Sequence, residues 1–123
     1  MSDAKKIMEM IKEHDITYVD LRFTDIAGKM QHVTQHIDTI DEDALTEGFM
    51  FDGSSIAGWK AINESDMTLM PDLYRAYIDP FFAQPTLALF CDVLEPSSGE
   101  AYDRDPRGTA KAALAHIESL GIA

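Results

Sequence analysis

Ile7, Met8, Met10, Ile11 and His14 recur at mostly helical spacing, so residues 3–14 are predicted to form an amphipathic helix. Ser2 stands where an N-cap is needed, and Asp3 places negative charge in the first turn. Lys5, Lys6, Glu9, Lys12 and Glu13 make the wet face. The period then shortens to two. Over Ile16–Phe23, Thr17, Val19, Leu21 and Phe23 point one way and Tyr18, Asp20 and Arg22 the other, the pattern of a half-exposed strand. Asp25-Ile-Ala-Gly28 reads as a turn in which Gly28 supplies a positive φ. Lys29–His36 alternates again, with Met30 and Val33 expected inward, and the two strands make a hairpin.

Further along, Thr39 or Asp41 is placed to cap a short helix over Glu42–Glu47, which Gly48 ends. Asp66–Met70 reads as a strand stopped by Pro71-Asp72, and Ala76–Ile78 as a shorter one. Pro80 keeps Asp79 extended. Thr86–Leu94 is the most apolar stretch and is predicted to be the central strand. Asp105-Pro106 opens a last helix with a stripe of Ala110, Ala113, Leu114, Ile117 and Leu120, stopped by Gly121. That stripe suits a connector into a further domain as much as a terminal cap. A hairpin, a helix and more strands, without repeats, predict the α+β class: a small mixed sheet with covering helices.

The 123 residues are one domain's worth, and 46% hydrophobic content is that of a folded chain. Twenty-two acids against ten Lys and Arg give a formal charge of −12. This argues against nucleic acid or an anionic membrane surface as partner, since both require clustered cations. The lone Cys91 lies in an apolar run with no basic neighbour to activate it, so a buried, inert thiol in a reducing, cytoplasmic setting is expected. No 18-residue apolar run occurs.

Candidate chemistry concentrates in Phe51-Asp-Gly-Ser-Ser-Ile-Ala-Gly-Trp59, where Asp52 is expected in a loop that two glycines and two serines keep from becoming helix or strand. The carboxylate there either closes an Asx turn or is held for a cation or a proton. His32 and His36 are four apart, but on a strand they lie too far apart to chelate, and no carboxylate pair completes a shell. No metal site is assigned. Asp38, Asp41, Glu42 and Asp43 read as a solvated helix start, and Asp103–Arg107 as capping and surface pairing. Neither a G-x-x-x-x-G-K-[ST] nor a G-x-G-x-x-G motif occurs, so the chain shows no nucleotide site of its own.

Several of these segments together resemble one family. Phe51–Trp59, Ile62-Asn-Glu-Ser-Asp-Met67, Met70-Pro-Asp72, Ile78-Asp-Pro-Phe-Phe82 and Tyr102-Asp-Arg-Asp-Pro-Arg107 are similar, in this order, to the N-terminal domain of bacterial type I glutamine synthetase. The resemblance implies a β-grasp-like domain over residues 1–103 and, over 104–123, a connecting helix into a catalytic domain outside this chain. It implies an enzyme that phosphorylates the γ-carboxylate of glutamate with ATP and displaces the phosphate with ammonia, in homo-oligomeric stacked rings. ATP and Mg2+ or Mn2+ then belong to the full-length enzyme, and no cofactor is expected on this chain. Asp52 matches the aspartate that binds ammonium and takes its proton in a neighbouring subunit's site. Asp66 matches an acidic residue contacting the flap that closes the site, and Ser55 and Trp59 match the intersubunit loop. By this reading the chain alone is inactive. A stand-alone β-grasp binding module without chemistry is the alternative.

Overall fold

The computed structural model describes residues 2–53, 66–96 and 98–122. Helix α1 runs Asp3–Glu13, with the Ser2 hydroxyl accepting from the Lys5 amide at 3.3 Å. Strand β1 (Tyr18–Thr24) and β2 (Met30–His36) form the expected hairpin, closed by Gly28 at φ 88°. A 3-10 turn over Ile37–Thr39, not foreseen from the sequence, leads to α2 (Glu42–Glu47). Asp41, not Thr39, is the cap, accepting from the Ala44 amide at 2.7 Å. Strands β3 (Phe49–Asp52), β4 (Asp66–Pro71), β5 (Tyr77–Asp79) and β6 (Thr86–Leu94) follow, and then α3 (Pro106–Ser119).

The strands form one six-stranded sheet in the order β2-β1-β6-β4-β3, with β5 also on β6. β6 is central, as its composition predicts. It lies parallel to β1, pairing Leu21 with Leu89, while β4 and β5 run antiparallel to it over its C-terminal and N-terminal stretches. The parallel β1–β6 pair makes the sheet mixed, the α+β arrangement expected.

Alternation divides the sheet into two faces. Val19, Leu21 and Phe23 of β1, Met67 and Leu69 of β4, and Leu87, Leu89, Cys91 and Val93 of β6 share the inner face. α1 covers it with Ala4, Ile7 and Ile11, and α2 with Leu45, in a single apolar cluster. Each fully buried leucine there contributes about 2 kcal/mol from area removed from water. Two expectations fail on this geometry. Val33 pairs with Leu21 and packs against the core, but Met30 pairs with Thr24 and is 47% exposed. Residues three apart on a strand face opposite ways, so both cannot point inward. β1 is also less exposed than its alternation suggests: Asp20, on the polar side, is buried.

Candidate functional site

Asp52 is not in a loop. It is the last residue of β3, directly opposite Asp66, the first residue of β4. The glycines and serines follow the strand and do not prevent it. The local reason is the alternation of Phe49 and Phe51, both packed against the core. The Phe51 ring lies 5.1 Å from that of Phe23. With Phe51 turned inward, the next side chain, Asp52, must point to the other face. Asp52 and Asp66 are both exposed. Opposed residues of an antiparallel pair carry Cβ atoms about 4.5–5.5 Å apart, and like charges so placed repel. Ser55 and Trp59 lie outside the described residues.

The outer face holds a polar network that alternation alone conceals. The buried Asp20 accepts from Thr34 Oγ1 at 3.0 Å and from Arg22 Nε at 2.9 Å, and its Oδ1 lies 2.7 Å from His32 Nδ1. Arg22 also donates to Asp79 and to the Tyr77 hydroxyl. Burial works against the Arg22 charge, but hydrogen bonds to Asp79 and Asp20 outweigh it and raise its pKa. The Arg22 bond, joined by the Phe81 amide at 2.9 Å, holds the Asp79 carboxyl below its usual range. His32, half-exposed, is thereby engaged by a carboxylate. His36 accepts from the Asp38 amide at 3.1 Å. Among the described residues no group of His, Cys, Asp or Glu is arranged to hold a metal.

A second network ties α3 to the sheet. Asp105, expected as a surface cap, is 1% exposed. Its Oδ1 caps α3 through the Arg107 amide at 3.1 Å, and its Oδ2 accepts from the Val93 amide of β6 at 2.9 Å. Burial raises its pKa despite both bonds. Arg107 spans Asp92 at 2.9 Å and Asp72 at 2.6 Å, and Lys111 reaches Asp92 at 2.7 Å. Cys91 is buried as expected, and burial pushes its thiol up to about 12. None of its surroundings suits a nucleophile.

A mixed six-stranded sheet with helices on its inner face and opposed carboxylates at a strand end defines an α+β domain of the β-grasp kind. Residues 15–96 match the family described as glutamine synthetase, beta-Grasp domain, and the chain belongs to that family. It is 61% identical over 122 residues to the glutamine synthetase of Rhizobium meliloti (strain 1021), covering 99% of this chain and 26% of that protein. A Cupriavidus pinatubonensis protein named 3-hydroxylaminophenol mutase is 55% identical over 116 residues, covering 94% of this chain and 25% of that one. The cryo-EM structure of Plasmodium falciparum glutamine synthetase superimposes with a TM-score of 0.86 at 24% identity, over 98% of this chain and 23% of that one, which establishes the shared fold. The chain spans about a quarter of the length of the curated relatives it matches. Among the described residues no helix is long and apolar enough to cross a membrane.

Proposed function

We propose that this chain works as the N-terminal β-grasp domain of a cytoplasmic glutamine synthetase, with Asp52 completing an ammonium site whose other walls belong to a neighbouring subunit's catalytic domain. One observation carries the reading: in a chain of this family, the Asp52 carboxylate faces away from its own core at the end of a terminal strand. Asp66 adds a second charge beside it, and Ser55 and Trp59 act at the same intersubunit surface. Residues 1–103 are the domain body and 104–123 the helix leading to the catalytic domain. The exposure of Leu114, Ile117 and Leu120 supports this, because an apolar stripe left in water at 52%, 39% and 59% suits a further contact.

The chemistry follows from the substrate. Ammonium is a cation without a nucleophilic lone pair. A fixed carboxylate concentrates it and accepts one proton, leaving ammonia. Ammonia then attacks the carbonyl of γ-glutamyl phosphate and expels phosphate. Excluding water protects that intermediate from hydrolysis. ATP and Mg2+ or Mn2+ act in the catalytic domain, in stacked homo-oligomeric rings, and none is assigned to this chain.

The test is kinetic. The full-length protein should release phosphate only with glutamate, ammonium, ATP and divalent metal together, and the isolated 123-residue chain should release none. Conversion of 3-hydroxylaminophenol without ligase activity would overturn the reading. In the full-length protein Asp52→Ala should raise the KM for ammonium about ten-fold or more, with the KM for glutamate and ATP little changed. An equal loss for all three substrates would remove the assigned role.

A further inference from the structure

Gly48 separates α2 from β3 at φ 90°, a backbone conformation that favours glycine. Its amide closes α2 by donating to the Ala44 carbonyl at 2.9 Å. It is also a point of close approach. A Cβ built on Gly48 would lie 2.7 Å from Thr68 Cγ2, 3.0 Å from the Leu69 carbonyl oxygen and 3.3 Å from Met70 Cε. The methionine end can move aside; the carbonyl oxygen is backbone and cannot. All three atoms belong to β4, the strand whose register sets Asp52 opposite Asp66. β3 has four residues and, among the described strands, pairs with β4 alone. No second neighbour among them would correct a shift at its root.

We infer that Gly48 is a positioning residue for Asp52: the absent side chain lets β3 close onto β4, and that closure aims the carboxylate. The inference rests on the ammonium-site reading of Asp52. A side chain at position 48 must pry the strands apart where Phe49 meets Leu69 and Met50 meets Thr68. Asp52 lies four residues beyond Gly48, roughly 13 Å at strand rise, so a tilt at the root is carried to the carboxylate. Misplacement by about 1 Å is enough to cost on the order of 100-fold in a reaction that depends on aim.

Gly28 supplies the control. Its φ of 88° matches that of Gly48, but a Cβ there meets nothing within 4 Å. Alanine is strained at either φ, and at position 48, where ψ is 178°, the backbone conformation is one that glycine alone adopts readily; only position 48 adds the strand contact. In the full-length protein, Gly48→Ala should raise the KM for ammonium about ten-fold while the KM for glutamate and ATP stays within about two-fold. Gly28→Ala should leave all three unchanged. Gly48→Ala with Thr68→Ser, which deletes the nearest methyl but keeps the Leu69 oxygen, should fall between wild type and Gly48→Ala. A normal ammonium KM in Gly48→Ala, or an equal rise in Gly28→Ala, overturns the assignment. Where Gly48→Ala does not fold, the double variant is read against wild type: a raised ammonium KM supports the assignment and an equal one overturns it. Asp52→Ala, run in parallel, keeps the two ideas separate. If it leaves ammonium use intact, the site reading fails; if it impairs ammonium use and Gly48→Ala does not, only the positioning role fails.

Discussion

Asp105→Ala should cost the domain more than the loss of an ordinary helix cap. Two amides depend on this carboxylate, that of Arg107 at the start of α3 and that of Val93 in the central strand. Loss of an N-cap costs about 1 kcal/mol. A buried amide left without an acceptor costs a further 1–3 kcal/mol or so. Together these come to about 2–4 kcal/mol, and relief of the charge that burial disfavours returns part of it, so the expected loss is about 1.5–3 kcal/mol. Asp41→Ala is the internal reference, since Asp41 caps α2 through one exposed amide and should cost only about 1 kcal/mol. Asparagine at 105 is no substitute. Both carboxylate oxygens accept amides, so its NH2 group would confront one of them, and Asp105→Asn should fall between wild type and alanine. Urea unfolding followed by circular dichroism measures all three, with the midpoint shift read at constant m-value. Equal losses for Asp105→Ala and Asp41→Ala would refute the claim that Asp105 serves the core strand as well as the helix.

The remaining expectations are smaller. Gly108 lies in the first turn of α3, and an added Cβ there would come no closer than 3.8 Å to any atom, so Gly108→Ala should stabilise by about 0.5–1 kcal/mol in the same urea assay. Acid should act through Asp25 and Asp79. The Gln31 side chain and the Lys29 amide hold Asp25 below the usual carboxylate range, and Arg22 does the same for Asp79. The stability they supply is fully present above the range of an ordinary aspartate and is lost as pH falls through their lower folded values. Asp105, raised by burial, runs the other way: its contribution declines as pH rises through its folded pKa. Asp79→Asn should therefore lose less stability than wild type between about pH 5 and pH 3, and an identical loss would count against the Arg22 pairing.

Periodicity was a good guide wherever one face of an element meets the core. α1, β1, α2 and β6 lie where their patterns put them, because burial rewards a repeat of 3.6 or 2 whatever the partners are; α3 forms where its Asp105-Pro106 start puts it, with its stripe in water. Periodicity failed where distant partners decide. Asp20 reads as wet because it alternates with apolar residues, and Asp105 because it opens a helix among charged neighbours, yet both are buried. Their compensation comes from Thr34 and His32 fourteen and twelve residues away in one case, and from Val93 twelve residues away in the other. Alternation reports which way a side chain points and nothing about what meets it there. Asp52 shows the same limit. Its glycine- and serine-rich surroundings suggest a loop, and only pairing with Asp66 makes it the end of a strand.

The amino-acid order alone determined the class of fold, the central place of Thr86–Leu94, the turn at Gly28 and the motifs that resemble the glutamine synthetase family. These depend on local spacing and on residues adjacent in the chain. Tertiary structure alone decided that two carboxylates oppose each other across β3 and β4, that Gly48 must lack a side chain, and that Asp105 joins a helix to the central strand. Each of these is a contact between segments brought together by the sheet, where distance and burial set the energy and sequence separation does not.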